Sequence, residues 1–157
     1  MAIVLYRIDD RLVHGQVVIG WGRPLGAAVI VLVDDTVADS AWEQDLYRMG
    51  VPPELELRFL HVADVAAARA EWAADPRPAI LLTGDVATMA AVCRAAAPVA
   101  AVNLGGLHHK PGRTARLPYV FLAEEDLRQL DDIVAGGTTV TAQDLPTTSP
   151  VPLESLR

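Results

Sequence analysis

One cysteine, Cys93, stands in the 157 residues of this chain. A lone thiol excludes a disulfide framework within the chain and a cysteine-rich metal site, and its neighbours, "MAAVCRAAA", read as a buried helix position. Long apolar runs are missing as well. Nothing approaches the roughly 20 uninterrupted apolar residues of a bilayer span, and the N-terminal "AIVLYRI" has no signal-peptide layout. The expectation is a cytoplasmic protein. Positive charge is scarce: 13 Lys and Arg against 20 Asp and Glu leave a net charge of -7, which argues against a general nucleic-acid binder. The glycines make neither a Gly-x-Gly-x-x-Gly run nor a Walker pattern. His108 and His109 are adjacent, so their side chains diverge, and no His-x-x-x-His or carboxylate cluster accompanies them. No metal and no cofactor is expected.

What is present is a rhythm. Apolar runs rich in Val, Ile and Leu recur at "IVLYRI", "AAVIVLV", "LELRFL", "AILLT", "VAAVNL" and "YVFLA". Helical or loop segments separate them. Runs that are apolar on both faces suit parallel strands covered by helices on each side, so the pattern predicts an α/β protein with a three-layer α/β/α, open, mainly parallel sheet. The length fits one domain over residues 1–157.

Helix signals agree with this. In "SAWEQDLYRMG", Ser40 and Glu43 have capping-box spacing, and Gly50 and Pro52 supply a stop. Segment 62–74 is alanine-rich with apolar residues at intervals of three and four, and Pro76 ends it. Asp85 is placed to cap "VATMAAVCRAAA". "EEDLRQLDDIVAGG" carries carboxylates in its first turn and Gly136 at its end, before a short strand "TTVTA". The proline-rich tail, residues 143–157, reads as an extended strap. The longest internal loop, "GGLHHKPGRTARLP" at 105–118, is long enough to carry more than a connection.

Chemistry concentrates in "RIDDRLVHGQVV", residues 7–18. Ligands of open parallel sheets gather at the carboxyl ends of strands. His14 falls on the loop after the first strand, at the start of a helix whose unpaired N–H groups favour an anion. A histidine so placed is either an ordinary hydrogen-bonding residue or a nucleophile whose phosphorylated form would be met by backbone N–H groups and a guanidinium, with Arg11 as the nearest in sequence. Asp9 or Asp10 would hold that arginine or accept a hydrogen bond from one imidazole nitrogen, freeing the other to attack. Gly15 leaves room for an incoming group and, with Gln16, completes the turn. Asn103, Gly105 and Gly106 end the fifth strand on the same edge, and the cationic stretch with Lys110 and Arg113 suits a phosphate or an acidic partner.

The string "RIDDRLVHGQVVIGW" resembles the opening of the IIB components of the mannose/fructose/sorbose family of the bacterial phosphoenolpyruvate-dependent sugar phosphotransferase system. The likeness continues through "VLVDDTVA", "VNLGGLHHKPGRT" and "LPYVFLAEED", and covers nearly the whole chain. It implies strand order 3-2-4-1-5-6 with a short extra C-terminal strand. It also implies a phosphorylated histidine at His14 with Nδ1 favoured, steadied by Asp10 and Arg11, with Gly15 and Gln16 facing the phosphate. The partners it implies are a IIA phosphohistidine donor, a membrane IIC/IID permease at the inner face of the membrane, and a sugar acceptor. A homodimer is a further expectation, from Trp and Leu residues on helices. Two other readings stand beside this one: a regulatory phosphoprotein with no sugar acceptor, and a Mg²⁺-dependent site built on the paired aspartates at 9–10 and 34–35 with Asp85.

Overall fold

The sheet is built from runs that alternate between two buried faces. The computed structural model describes residues 1–157. In order along the chain its strands are β1 (Ala2–Ile8), β2 (Val29–Val33), β3 (Glu56–Leu60), β4 (Pro78–Thr83), β5 (Ala101–Leu104), β6 (Thr114–Leu117), β7 (Val120–Leu122), β8 (Thr139–Ala142) and β9 (Val151–Pro152). Its helices are α1 (Gly22–Leu25), α2 (Asp35–Ala38), α3 (Ala41–Met49), α4 (Val65–Trp72), α5 (Val86–Ala95) and α6 (Glu124–Ala135). Val29, Val31, Val33, Ala79 and Leu81 pack on one face, while Ile30, Leu32, Ile80 and Leu82 pack on the other. Period-two alternation within β2 and β4 therefore feeds two cores, and each fully buried Val, Ile or Leu contributes about 1.5–3 kcal/mol.

The main sheet has the order β3-β2-β4-β1-β5-β8-β9. All its pairs are parallel except β8 with β9. The run "YVFLA" takes no place in it: it forms β7, paired antiparallel with β6 in a separate two-stranded hairpin. A parallel neighbour for β5 needs a crossover, and no helix lies between β5 and β7. The run "TTVTA", which follows α6, fills the sixth position as β8.

Asp85 and Ser40 cap as expected, accepting from Thr88 N at 2.7 Å and Glu43 N at 3.3 Å, but Glu43 does not complete a capping box, because Ser40 N donates to Val37 O at 3.0 Å; Asp126 accepts from Ala123 N at 2.8 Å at the start of α6. The helix after β1 opens as a π-helix, Gln16–Trp21, before α1. Its wide turn buries Val17, Val18 and Trp21 together. A Cβ on Gly20 would lie 2.8 Å from Leu145 Cδ2, so the tail packs directly on this helix. The tail is more than an extended strap. It adds β9 and a 3₁₀ turn, Leu153–Leu156, whose Leu153 and Leu156 join the larger core.

From β1 the chain crosses towards β2 on one side, and after β4 it crosses to β5 on the other. The loops after β1 and β5 thus meet where strand order reverses. Leu156→Ala should cost about 2–4 kcal/mol in urea unfolding, the range for emptying a buried leucine site. An unchanged midpoint would mean that the tail adds nothing to the core.

Candidate functional site

Neighbouring strands hold the loop after β1 from both sides. Asp9 N donates to Thr83 O at 2.9 Å, Asp10 N to Gly106 O at 2.8 Å, and Gly105 N to Ile8 O at 2.7 Å. Leu12 N then closes a turn on Asp9 O at 3.0 Å, with Leu12 held at φ 59°, a left-handed conformation that costs a branched residue free energy. Gly84 makes room for it, since a Cβ there would approach Leu12 Cδ2 to 2.8 Å. His14 O accepts from Val17 N and Val18 N at 3.0 and 2.9 Å, which starts the helix.

Asp9 is the centre of this arrangement. Its carboxylate is fully buried. Oδ2 lies 3.1 Å from Arg7 Nη2 and 3.2 Å from His14 Nε2, and Oδ1 accepts from Arg11 N at 3.2 Å with Arg11 Nε at 3.5 Å. Gln16 N donates to His14 Nδ1 at 3.3 Å. A donor at Nδ1 requires a lone pair there, which puts the imidazole proton on Nε2 facing Asp9. The Nε2 approach to Oδ2 is close but poorly aligned for a strong hydrogen bond, and Nε2 has no other partner. Burial pushes the Asp9 carboxyl up, but the His14 contact and the Arg7 charge outweigh it and bring it down to about 2.

Behind Asp9 sits Arg7, also fully buried. Nη1 donates to Asn103 Oδ1 and, at 2.9 Å, to Gln143 O; Nη2 also donates to Asp144 O at 3.2 Å, and the guanidinium lies 5.1 Å from the centre of the Trp21 ring. A Cβ on Gly105 would collide with this guanidinium, and one on Gly106 would reach 3.4 Å from Asp9 Oδ1. Asn103, Gly105 and Gly106 thus form the cradle of the Arg7–Asp9 pair.

Asp10 does something else. It accepts from His108 N at 2.7 Å and pairs with His108 Nδ1 at 2.5 Å, tying the β1 loop to the 105–118 loop. The carboxylate at the imidazole is therefore Asp9, not Asp10. Strand parity decides it, because Arg7 and Asp9 lie two residues apart and share a side. Arg7 escaped the sequence reading as a site residue; an arginine inside an apolar strand was the available signal. Arg11 is 44% exposed and donates to Gln16 Oε1, so both reach the rim. Gly15 is exposed, with nothing within 4 Å of where its Cβ would be. Arg113 is spent on His108 O at 3.0 Å and on Asp126 at 3.5 Å, whereas Lys110 is exposed and makes no ion pair. Asp34 caps α2 through Val37 N at 2.9 Å, and Asp35 accepts from Val62 N at 2.8 Å. With Asp85 capping α5, these carboxylates do not converge with Asp9 and Asp10.

A partly exposed imidazole, backed by a buried carboxylate at the reversal point of a parallel sheet, is the chemical centre of this small α/β protein. The chain belongs to the sorbose subfamily of phosphotransferase-system IIB components, whose family profile matches residues 3–156. It is 32% identical to the N-acetylgalactosamine-specific phosphotransferase enzyme IIB component 1 of Escherichia coli (strain K12), over 92% of this chain and 91% of that one. It is also 32% identical to the sorbose-specific EIIB component of Klebsiella pneumoniae, over 85% and 83%. The crystal structure of the N-acetylgalactosamine-specific IIB component 1 from Escherichia coli superposes with a TM-score of 0.86 at 28% identity, covering 96% of this chain and 98% of that one. The protein is thus a phosphotransferase, a phosphoryl carrier of a sugar phosphotransferase system, and membership implies IIA and IIC/IID partners. No helix is long and apolar enough to cross a membrane.

Because the Asp9 carboxyl is lowered on folding from 3.8 to about 2, the stability it supplies is complete above pH 4 and lost as pH falls through about 2. The loss amounts to about 2 kcal/mol. Asp9→Asn should destabilise the protein by about 3–5 kcal/mol at pH 7, by leaving Arg7 unpaired, and should flatten that acid limb. Denaturant melts from pH 2 to 7 check both. Parallel acid limbs in the two proteins would remove Asp9 from this account.

Proposed function

We propose that His14 carries the phosphoryl group, attacking through Nδ1. The observation that carries this reading is the division of the imidazole: Nε2 faces Asp9 at 3.2 Å, and Nδ1 faces Gln16 N at 3.3 Å. The lone pair on Nδ1 attacks phosphorus in line while the phosphorus–nitrogen bond to a IIA phosphohistidine breaks. The Nε2 proton stays in place against Asp9, which offsets the positive charge the ring acquires. The Gly15 N–H, which has no partner in the chain, Gln16 N–H once it releases Nδ1, and Arg11 then meet the phosphoryl oxygens. In the second displacement a sugar hydroxyl oxygen forms the new bond to phosphorus and releases its proton to water, while the phosphorus–nitrogen bond breaks and the imidazole leaves with its own proton still on Nε2.

The acceptor in this proposal is a sugar held by IIC/IID, with the protein at the cytoplasmic face of the membrane as a single domain of residues 1–157. Transport is preferred to regulation without an acceptor because the relatives are named as sugar-specific components. Lys110 and Arg11 supply the cationic rim for the donor, and Asp10 positions the 105–118 loop. A homodimer is supported by α3, where Trp42, Leu46 and Met49 recur at i, i+4 and i+7 and are 71%, 48% and 82% exposed.

The test is phosphoryl transfer from phosphoenolpyruvate through enzyme I, the phosphocarrier protein and a family IIA, read by intact mass over time on folded protein. His14→Ala should gain no phosphate. Asp9→Asn and Arg11→Gln should each slow loading by on the order of 10²-fold, and Asp10→Asn by less than about tenfold. Phosphate on His14→Ala, or a slower Asp10→Asn than Asp9→Asn, would overturn the assignment.

A further inference from the structure

A cavity of about 600 Å³ lies away from His14. It lies in the sheet itself, between the first half of β1 and the segment that leads into β5. β5 pairs with β1 only at Arg7↔Asn103 and Ile8↔Leu104, so the earlier residues of β1 have no strand on that side. On the other side the ladder with β4 skips Val4, between Ile3 and Leu5. This bulge bends the strand, and Val4 is 42% exposed although β1 is a central strand.

The opening reaches both helical layers. Trp21 of the π-helix and Trp72 of α4 wall it, each only 5% exposed, and Tyr6 adds a third ring. Arg69 is the one charged side chain that lines it. Its Nη1 donates to Ala97 O, which fixes the guanidinium at the rim and leaves its other N–H groups free. Asn103 and Gln143 close the inner end. This is the form of a small-molecule pocket: a volume in the usual 300–1,000 Å³ range, mostly apolar and aromatic walls, and a few polar groups to orient the occupant.

We propose that the cleft binds a small aromatic monoanion, a body of two or three rings bearing one carboxylate or sulfonate. The rings pack against Tyr6 and the accessible edges of Trp21 and Trp72, and the anionic head pairs with Arg69. Neither His14 nor phosphoryl transfer enters the argument, so binding at this cleft stands or falls apart from the carrier function.

The experiment titrates the folded protein with 8-anilinonaphthalene-1-sulfonate and with its uncharged counterpart N-phenyl-1-naphthylamine, following tryptophan quenching and heat of binding. The sulfonate should bind saturably, one to one. Ala101→Phe and Val4→Trp, which fill the cleft from opposite walls, should each abolish binding of both probes. Arg69→Gln should weaken the sulfonate about three- to fivefold, the size of an exposed ion pair, and leave the neutral probe unchanged. Lack of saturable binding to the wild type overturns the proposal. So does binding that survives both cleft-filling variants with wild-type near-ultraviolet circular dichroism, or an equal loss of both probes in Arg69→Gln. Decanoate binding as tightly as the sulfonate would overturn the aromatic assignment in favour of an acyl anion.

Discussion

A buried ion pair, Arg7 with Asp9, is the constraint on which the site depends. Taking both charges out of water is costly, and the cost is offset only because nearly every polar atom of the pair has a partner. Asn103, the Gln143 and Asp144 carbonyls and the Arg11 amide supply those partners. They come from the end of strand β5, the loop after β1 and the start of the tail, so the pair fixes these three segments relative to one another. Arg7 anchors Asp9 from below, and Asp9 presents its remaining edge to His14. Gly105 is small because the guanidinium fills the space a side chain would take.

The proposed transfer from one protein to another accounts for the position of the histidine. His14 is not in the large cavity but on a loop whose outer side, at Gly15, is open. A phosphoryl donor that is itself a protein side chain has to reach the acceptor nitrogen directly, and a deep pocket would prevent this. Rigidity comes instead from strand hydrogen bonds on both sides of the loop and from the Leu12 turn packed on Gly84. The catalytic contribution of such a site is position and charge neutralisation, supplied before the partner arrives.

Much of this was legible in the sequence, for identifiable reasons. The β2 and β4 runs announced a doubly covered sheet because every residue of "VIVLV" is buried. Asp85 and Ser40 announced helix starts because capping is local chemistry. The residues left Asp9 and Asp10 open and the family resemblance pointed to Asp10, whereas Asp9 lies beside the imidazole; two adjacent carboxylates at a strand end differ only in the side they face, and the register of β1 decides that. The β6–β7 hairpin was obscured because "YVFLA" has the composition of a core strand and only the lack of a crossover helix argues otherwise. The contact of Gly20 with Leu145 and the bulge at Val4 join distant parts of the chain. No local pattern encodes them.

The central claim is that the Gln16 N–H at Nδ1 and the Asp9 carboxylate beside Nε2 together keep the proton of His14 on Nε2, and so make Nδ1 the phosphorylated atom. The direct measurement is a long-range ¹H–¹⁵N correlation spectrum of the phosphorylated protein, with ³¹P coupling used to identify the substituted ring nitrogen. The account predicts phosphorus on Nδ1 and a protonated Nε2. Phosphorus on Nε2 would contradict it, because that nitrogen is the one turned inward to Asp9.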